Sequence, residues 1–103
     1  MKGKYNMNMN ALMAQAKKLQ GELEKTTKEI EGKTYTYVND NVLVEATGDN
    51  HIKKIEIKSD SVLEDKEMLE DILVVAVNDI LNQIKKEKES KLSRYAGGLG
   101  GLF

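Results

Sequence analysis

Apolar residues near the start of the chain recur every seven positions. Met9, Ala16, Leu23 and Ile30 form one column and Leu12, Leu19 and Thr26 a second. That is an a/d seam, and it predicts a helix from about Met7 to Glu31. Gly21 falls at an outward position, where it costs about 1 kcal/mol of helix propensity and leaves the seam intact. From Gly32 the period drops to two. Tyr35 and Tyr37 alternate with Thr34, Thr36 and Val38, and Val42, Val44 and Ala46 alternate with Leu43, Glu45 and Thr47. Asn39-Asp40-Asn41 and Gly48-Asp49-Asn50 supply turn chemistry on either side of the second run, so three short antiparallel strands are expected, the last across Ile52 to Lys58. Ile55 and Ile57 share a face, whereas Ile52 stands out of phase with them, which allows a bulge near Lys53 and Lys54.

Ser61 and Glu64 have the spacing of a capping box, and a second helix is predicted from about Lys66 to Tyr95. Leu69, Ile72, Leu73, Ala76, Ile80 and Ile84 make its main stripe. Its middle, Leu73 to Val77, is apolar all round, so it needs cover on more than one side. A chain of 103 residues has room for one modest core, and a second subunit is the natural cover. Ile72, Val74, Val75, Ala76 and Val77 are therefore the candidate dimer interface. Beyond Ile84 the apolar signal fades while Lys85, Lys86, Lys88, Lys91 and Arg94 accumulate, and this stretch is expected to project from the body. Ala96 to Phe103 reads as a flexible Gly-rich tail behind one domain covering residues 1–95. The class is α+β, an α-β-β-β-α subunit with a three-stranded antiparallel sheet and two long helices.

The net charge is only −1, yet the charge is sorted along the chain. Residues 1–28 carry six Lys against two Glu, residues 29–79 carry thirteen acids against five Lys, and residues 80–103 carry four Lys and one Arg against two Glu. A polyanion would meet the two ends and be repelled by the middle, provided that folding keeps the blocks apart. In the first helix Lys17, Lys18, Lys25 and Lys28 stand opposite the seam. Exposed lysines also serve as ordinary solvated surface, and Lys18 with Glu22, Glu24 with Lys28 and Lys25 with Glu29 have i,i+4 spacing.

Cysteine and proline are both absent. The first removes disulfides, thiolate nucleophiles and sulfur-ligated metals, and the second suits long helices. No apolar run approaches the roughly 18 residues needed to span a bilayer, and the start lacks a signal-peptide core, so a cytoplasmic protein is expected. His51 has no second His or Cys to complete a transition-metal site and reads as a polar strand-edge residue. Glu67, Glu70 and Asp71 suit the positive end of the helix they begin better than a cation site. The Gly97 to Gly101 run lacks the Lys-Ser/Thr ending of a phosphate loop. No catalytic residue, cofactor, metal or small-molecule substrate is expected.

The segment from Leu63 to Asp71, followed by Ala76-Val77-Asn78-Asp79, resembles the signature of the YbaB/EbfC family of bacterial nucleoid-associated proteins. The Lys- and Gln-rich run Met13 to Gln20, the strand Val42-Leu43-Val44-Glu45-Ala46, the paired lysines in Ile52 to Ile57 and the closing Gly101-Leu102-Phe103 agree with it. The resemblance implies a homodimer built through the sheet and second helix, with protruding helices that grip duplex DNA and a role in nucleoid organisation and gene regulation. Family members often carry glycines between the first two strands, where this chain has Asn39-Asp40-Asn41.

Together these readings point to a dimeric duplex-DNA binder. Lys17, Lys18, Lys25 and Lys28 would hold phosphates on one arm, and Lys85, Lys86, Lys88, Lys91 and Arg94 on the other. Lysines carry no base code, so selectivity is expected to be low. Two alternatives share these features: a coiled-coil interaction module without direct nucleic-acid binding, and an RNA-binding regulator.

Overall fold

A computed structural model describes the backbone of residues 2–100 and the side chains of residues 9–95. Helix α1 spans Lys2–Gly32, strands β1, β2 and β3 span Thr34–Val38, Val42–Thr47 and His51–Ile57, and helix α2 spans Lys66–Gly100. The strands form one antiparallel sheet in the order β1-β2-β3. The expected α-β-β-β-α architecture is therefore the observed one, with both helices longer than their apolar periodicity indicates. Residues 101–103 of the expected tail lie outside the described residues, and Ala96 to Gly100 continue α2.

The sheet buries one face beneath α2. Val42, Val44 and Ala46 of β2 point inward and are fully buried, while Leu43, Glu45 and Thr47 are only half-buried, as a period of two requires. With Ile30, Tyr35, Ala76, Ile80 and Ile84 they form the core, flanked by Tyr37, Leu69, Ile72, Leu73 and Leu92. Tyr35 and Tyr37 thus serve packing.

The β1-β2 turn replaces glycine with asparagine chemistry. Asn39 Oδ1 accepts from the backbone N–H of Asn41 at 2.8 Å and of Val42 at 2.9 Å. Neither Asp40 nor Asn41 has a positive φ, so the turn needs no glycine. In the β2-β3 turn Asn50 takes the left-handed conformation, φ 64°, which asparagine tolerates better than most residues. The bulge lies where the phase of Ile52 indicates: Glu45 pairs with Lys54 and Ala46 with Ile52, so Lys53 is skipped. The skip returns Ile52 to the face of Ile55 and Ile57, the same face as the buried Val42, Val44 and Ala46 with which the three isoleucines pair.

The entry to α2 differs from the capping-box expectation. Ser61 lies inside a short 3-10 turn, Asp60–Glu64, whose N-cap is Ser59. Asp65 caps α2, with its Oδ1 accepting from Met68 N–H at 3.0 Å. The helix itself begins at Lys66, as expected, and the 3-10 turn before it buries Val62.

The molecule is long and narrow, 78 × 19 × 15 Å. The helices run antiparallel, with Lys33 meeting Glu87 and Thr26 meeting Tyr95. At about 1.5 Å per residue, the end of α2 reaches the level of about residue 21 of α1, so the first half of α1 projects alone. Burial along the seam is graded to match. Ile30 is buried, Leu23, Leu19 and Ala16 are half-buried, and Met9, Leu12 and Met13 are 64%, 48% and 60% exposed. The end of α2 leaves the body alongside α1. Tyr95 is buried and Leu92 packs on the core, so residues 85–95 leave the sheet as one half of a two-helix arm.

Candidate nucleic-acid interface

All four sequence-predicted lysines of α1 are exposed. On a helix of 3.6 residues per turn Lys17, Lys18, Lys25 and Lys28 fall within an arc of roughly 100°, on the side away from Leu19, Leu23 and Ile30. Along the axis they span about 16 Å. Among the described residues only three ion pairs form, and none involves these lysines. The i,i+4 partners available in the sequence are not engaged. Glu22 and Glu29 flank the stripe on one side and Glu24 on the other, leaving a line of free ammonium groups between carboxylate borders.

The basic residues of α2 are arranged differently. Lys85 and Lys86 are exposed and point outward, but Lys85, Lys86, Lys88, Lys91 and Arg94 together wrap around most of the helix instead of sharing a face. Lys91 is paired with Glu87 Oε1 at 3.3 Å. Arg94 lies over the Tyr95 ring, 4.7 Å from its centroid, and its Nη2 donates to Tyr95 Oη at 2.7 Å. The Tyr95 hydroxyl also bonds Thr26 Oγ1 at 3.1 Å. Arg94 and Tyr95 therefore fasten the arm where α1 and α2 part, in a groove bordered by Glu22, Lys25 and Glu29. Lys88 is half-buried. Five cations in the sequence thus reduce to two, Lys85 and Lys86, that are outward and uncommitted.

Glu87 ties α2 to the first strand. Its carboxylate accepts from the Tyr35 hydroxyl and from Lys33 Nζ at 2.9 Å, with Lys91 beside it. These contacts, the Tyr35 hydrogen bond foremost, hold its carboxyl down at about 2 against an ordinary 4.5. Burial, reinforced by the Glu87 carboxylate, pushes the Tyr35 phenol up. Because the Glu87 value is depressed on folding, its stabilisation is complete above about pH 4.5 and is lost as pH falls towards 2. Glu87→Gln is expected to cost about 1–2 kcal/mol near neutrality and to flatten the acid limb between those values, read by urea melts at a series of pH values.

The candidate dimer residues divide. Ala76 is fully buried within the subunit's own core and Ile72 packs against that core. Val74 and Val75 are exposed on different sides of α2, and Val77 is half-buried near Val74. Beyond the sequence reading, β3 is exposed along its whole length. Ile52, Ile55 and Ile57 stand on the sheet face that carries α2, and they, Val74 and Leu81 are all exposed. Their shared face was legible in the alternation, but their lack of cover depends on where α2 crosses the sheet. His51 is exposed at the start of β3. Glu67, Glu70 and Asp71 are exposed in the first turns of α2, about 40 Å along that helix from Tyr95. Among the described residues no helix is long and apolar enough to cross a membrane.

An α+β subunit that extends a two-helix arm with a free lysine stripe, and carries the acidic cluster Glu67, Glu70 and Asp71 at the far end of α2, has the form of a binder of extended polyanions. The chain belongs to the YbaB/EbfC DNA-binding family, whose model matches residues 4–99. It is 40% identical to a nucleoid-associated protein of Ruminiclostridium cellulolyticum over 97% of this chain and 90% of that one. A nucleoid-associated protein of Lactococcus lactis is 42% identical over 90% of this chain and 97% of its own length. One from Enterococcus faecalis is 40% identical over 92% and 94%.

Proposed function

We propose that the chain forms a homodimer that binds duplex DNA with low sequence selectivity, in the bacterial cytoplasm on the nucleoid, and contributes to nucleoid organisation and gene regulation. The observation that carries this reading is the α1 stripe, four exposed lysines on one face with no carboxylate partner among the described residues. Lys85 and Lys86 add a second, smaller contact, while Lys91 and Arg94 mainly hold the arm together. The acidic start of α2 lies several Debye lengths from the arm, so it repels DNA from the body without weakening the stripe. Lysine ammonium groups meet phosphates as point charges and read no base edges, which is the reason for low selectivity. The role is binding, not catalysis.

The dimer follows from uncovered apolar surface. Ile52, Ile55 and Ile57 of β3 and Val74 and Leu81 of α2 are all exposed, more apolar surface on sheet and second helix than a single subunit has cover for. A second copy covers it through the same surface about a two-fold axis. Val74→Asp with Ile55→Asp is expected to give a folded monomer, because both side chains are exposed within the subunit and a carboxylate buried at an interface is costly. Light scattering with circular dichroism checks this. A dimer of undiminished stability would place the interface elsewhere.

The direct test is fluorescence anisotropy with random-sequence duplexes. Similar affinity across unrelated sequences is expected, with weaker binding to single-stranded RNA. Preference for RNA, or no binding to either, would overturn the proposal.

A further inference from the structure

The seam of α1 is only half used. Its inner part, Leu23 to Ile30, packs against α2, and its outer part, Met9, Leu12 and Ala16 with Met13 beside them, continues the same a/d register past the last residues of α2 into solvent. We infer that this outer seam pairs with the same seam of a second copy, joining neighbouring dimers arm to arm while the lysine faces stay outward.

Three observations favour a second copy as the occupant. First, the exposed seam is continuous with one already filled by a helix, so a further helix fits without a change of register. Second, the only charged residues from Met9 to Gln20 are Lys17 and Lys18, both on the opposite face. The positions beside the seam, Met13, Gln15 and Gln20, are neutral, so two identical arms meet without like charges apposed. Third, a lone helix of this length is marginal in water, and pairing supplies the cover that its outer turns lack. The contact is short and therefore weak alone. Two dimers on one duplex are held at high effective concentration, which makes the pairing effective there and DNA binding cooperative. That last step rests on the proposed DNA binding, whereas the seam pairing itself does not.

The test is Leu12→Gln with Met13→Gln, which removes the apolar surface, keeps net charge and retains good helix formers. On a duplex long enough for several dimers, wild type is expected to bind sigmoidally and the variant hyperbolically. On a duplex holding one dimer the two should agree within about twofold. Sedimentation of concentrated DNA-free protein gives a second reading: wild type should associate reversibly beyond the dimer and the variant should not. Identical sedimentation and identical binding curves for the two proteins would overturn the inference. So would association that appears only after residues 101–103 are removed, since the seam would then be covered by the chain's own end. Should wild type bind no duplex yet lose its self-association on substitution, the seam pairing stands and the proposed function fails.

Discussion

Replacing Gly48 by alanine is expected to destabilise the fold more than any other single methyl-sized change. A Cβ at this position would lie 1.9 Å from the carbonyl oxygen of Ile30 and 2.6 Å from its carbonyl carbon. Both are backbone atoms, so no side chain can swing away to make room. Gly48 is buried, and its N–H donates to the carbonyl of Lys33 at 3.1 Å, which pins the end of α1 against the second strand's exit. Relief requires moving either the α1 terminus, and with it Ile30 out of the core, or the β2-β3 turn. A cost of about 3 kcal/mol follows, at the upper end of overpacking effects. For a domain of this size that is a drop in Tm of roughly 12–24 °C. Differential scanning calorimetry of Gly48→Ala reads it directly. Gly21→Ala is the internal control, because nothing lies near its would-be Cβ, and a small gain in stability is expected there.

Gly48 also shows where sequence reasoning stops. It stands in a Gly-Asp-Asn turn and was legible as a turn residue, yet Asn50 supplies the left-handed conformation and Gly48 is needed for a close approach to α1 that no local pattern encodes. Features carried by periodicity were legible: the α1 seam, the alternation in β2 and the bulge announced by the phase of Ile52. The start of α2 at Lys66 was legible, but Ser61 is not its cap: Ser61 lies in a 3-10 turn that buries Val62, and Asp65 caps the helix. The candidate site divides in the same way. The α1 lysines could be placed on one face by counting along a helix. Counting also places Lys91 one turn from Glu87, but not the meeting of Glu87 with Lys33 and Tyr35 across the arm, nor the hold of Tyr95 on Arg94 and Thr26. Ala76 stood both in the main stripe of α2 and in the candidate interface, and only the position of the sheet determined that it faces the core.

The second large effect is expected at the α1 stripe. Replacing Lys17, Lys18, Lys25 and Lys28 together by glutamine should weaken duplex binding roughly a hundredfold or more at physiological salt. All four side chains are exposed and lack ion-pair partners among the described residues, so the fold should hold within about 0.5 kcal/mol. Glutamine keeps helix propensity, which separates loss of charge from loss of helix. Lys85→Gln with Lys86→Gln should have a smaller effect, and Lys91→Gln should act mainly on stability through Glu87. If the α2 pair mattered more than the α1 stripe, the arm would present a different face to DNA than the one described.

The central claim is that free lysines of α1 contact phosphates, and the dependence of affinity on salt measures that most directly. Each neutralised phosphate releases condensed counterions, so the slope of log affinity against log salt counts the contacts. With about six contacts per dimer the wild-type slope is near −5, and the four-lysine glutamine variant should flatten it to roughly −2. An unchanged slope in a folded variant would mean that these lysines are ordinary solvated surface and that the stripe is not the DNA-binding face.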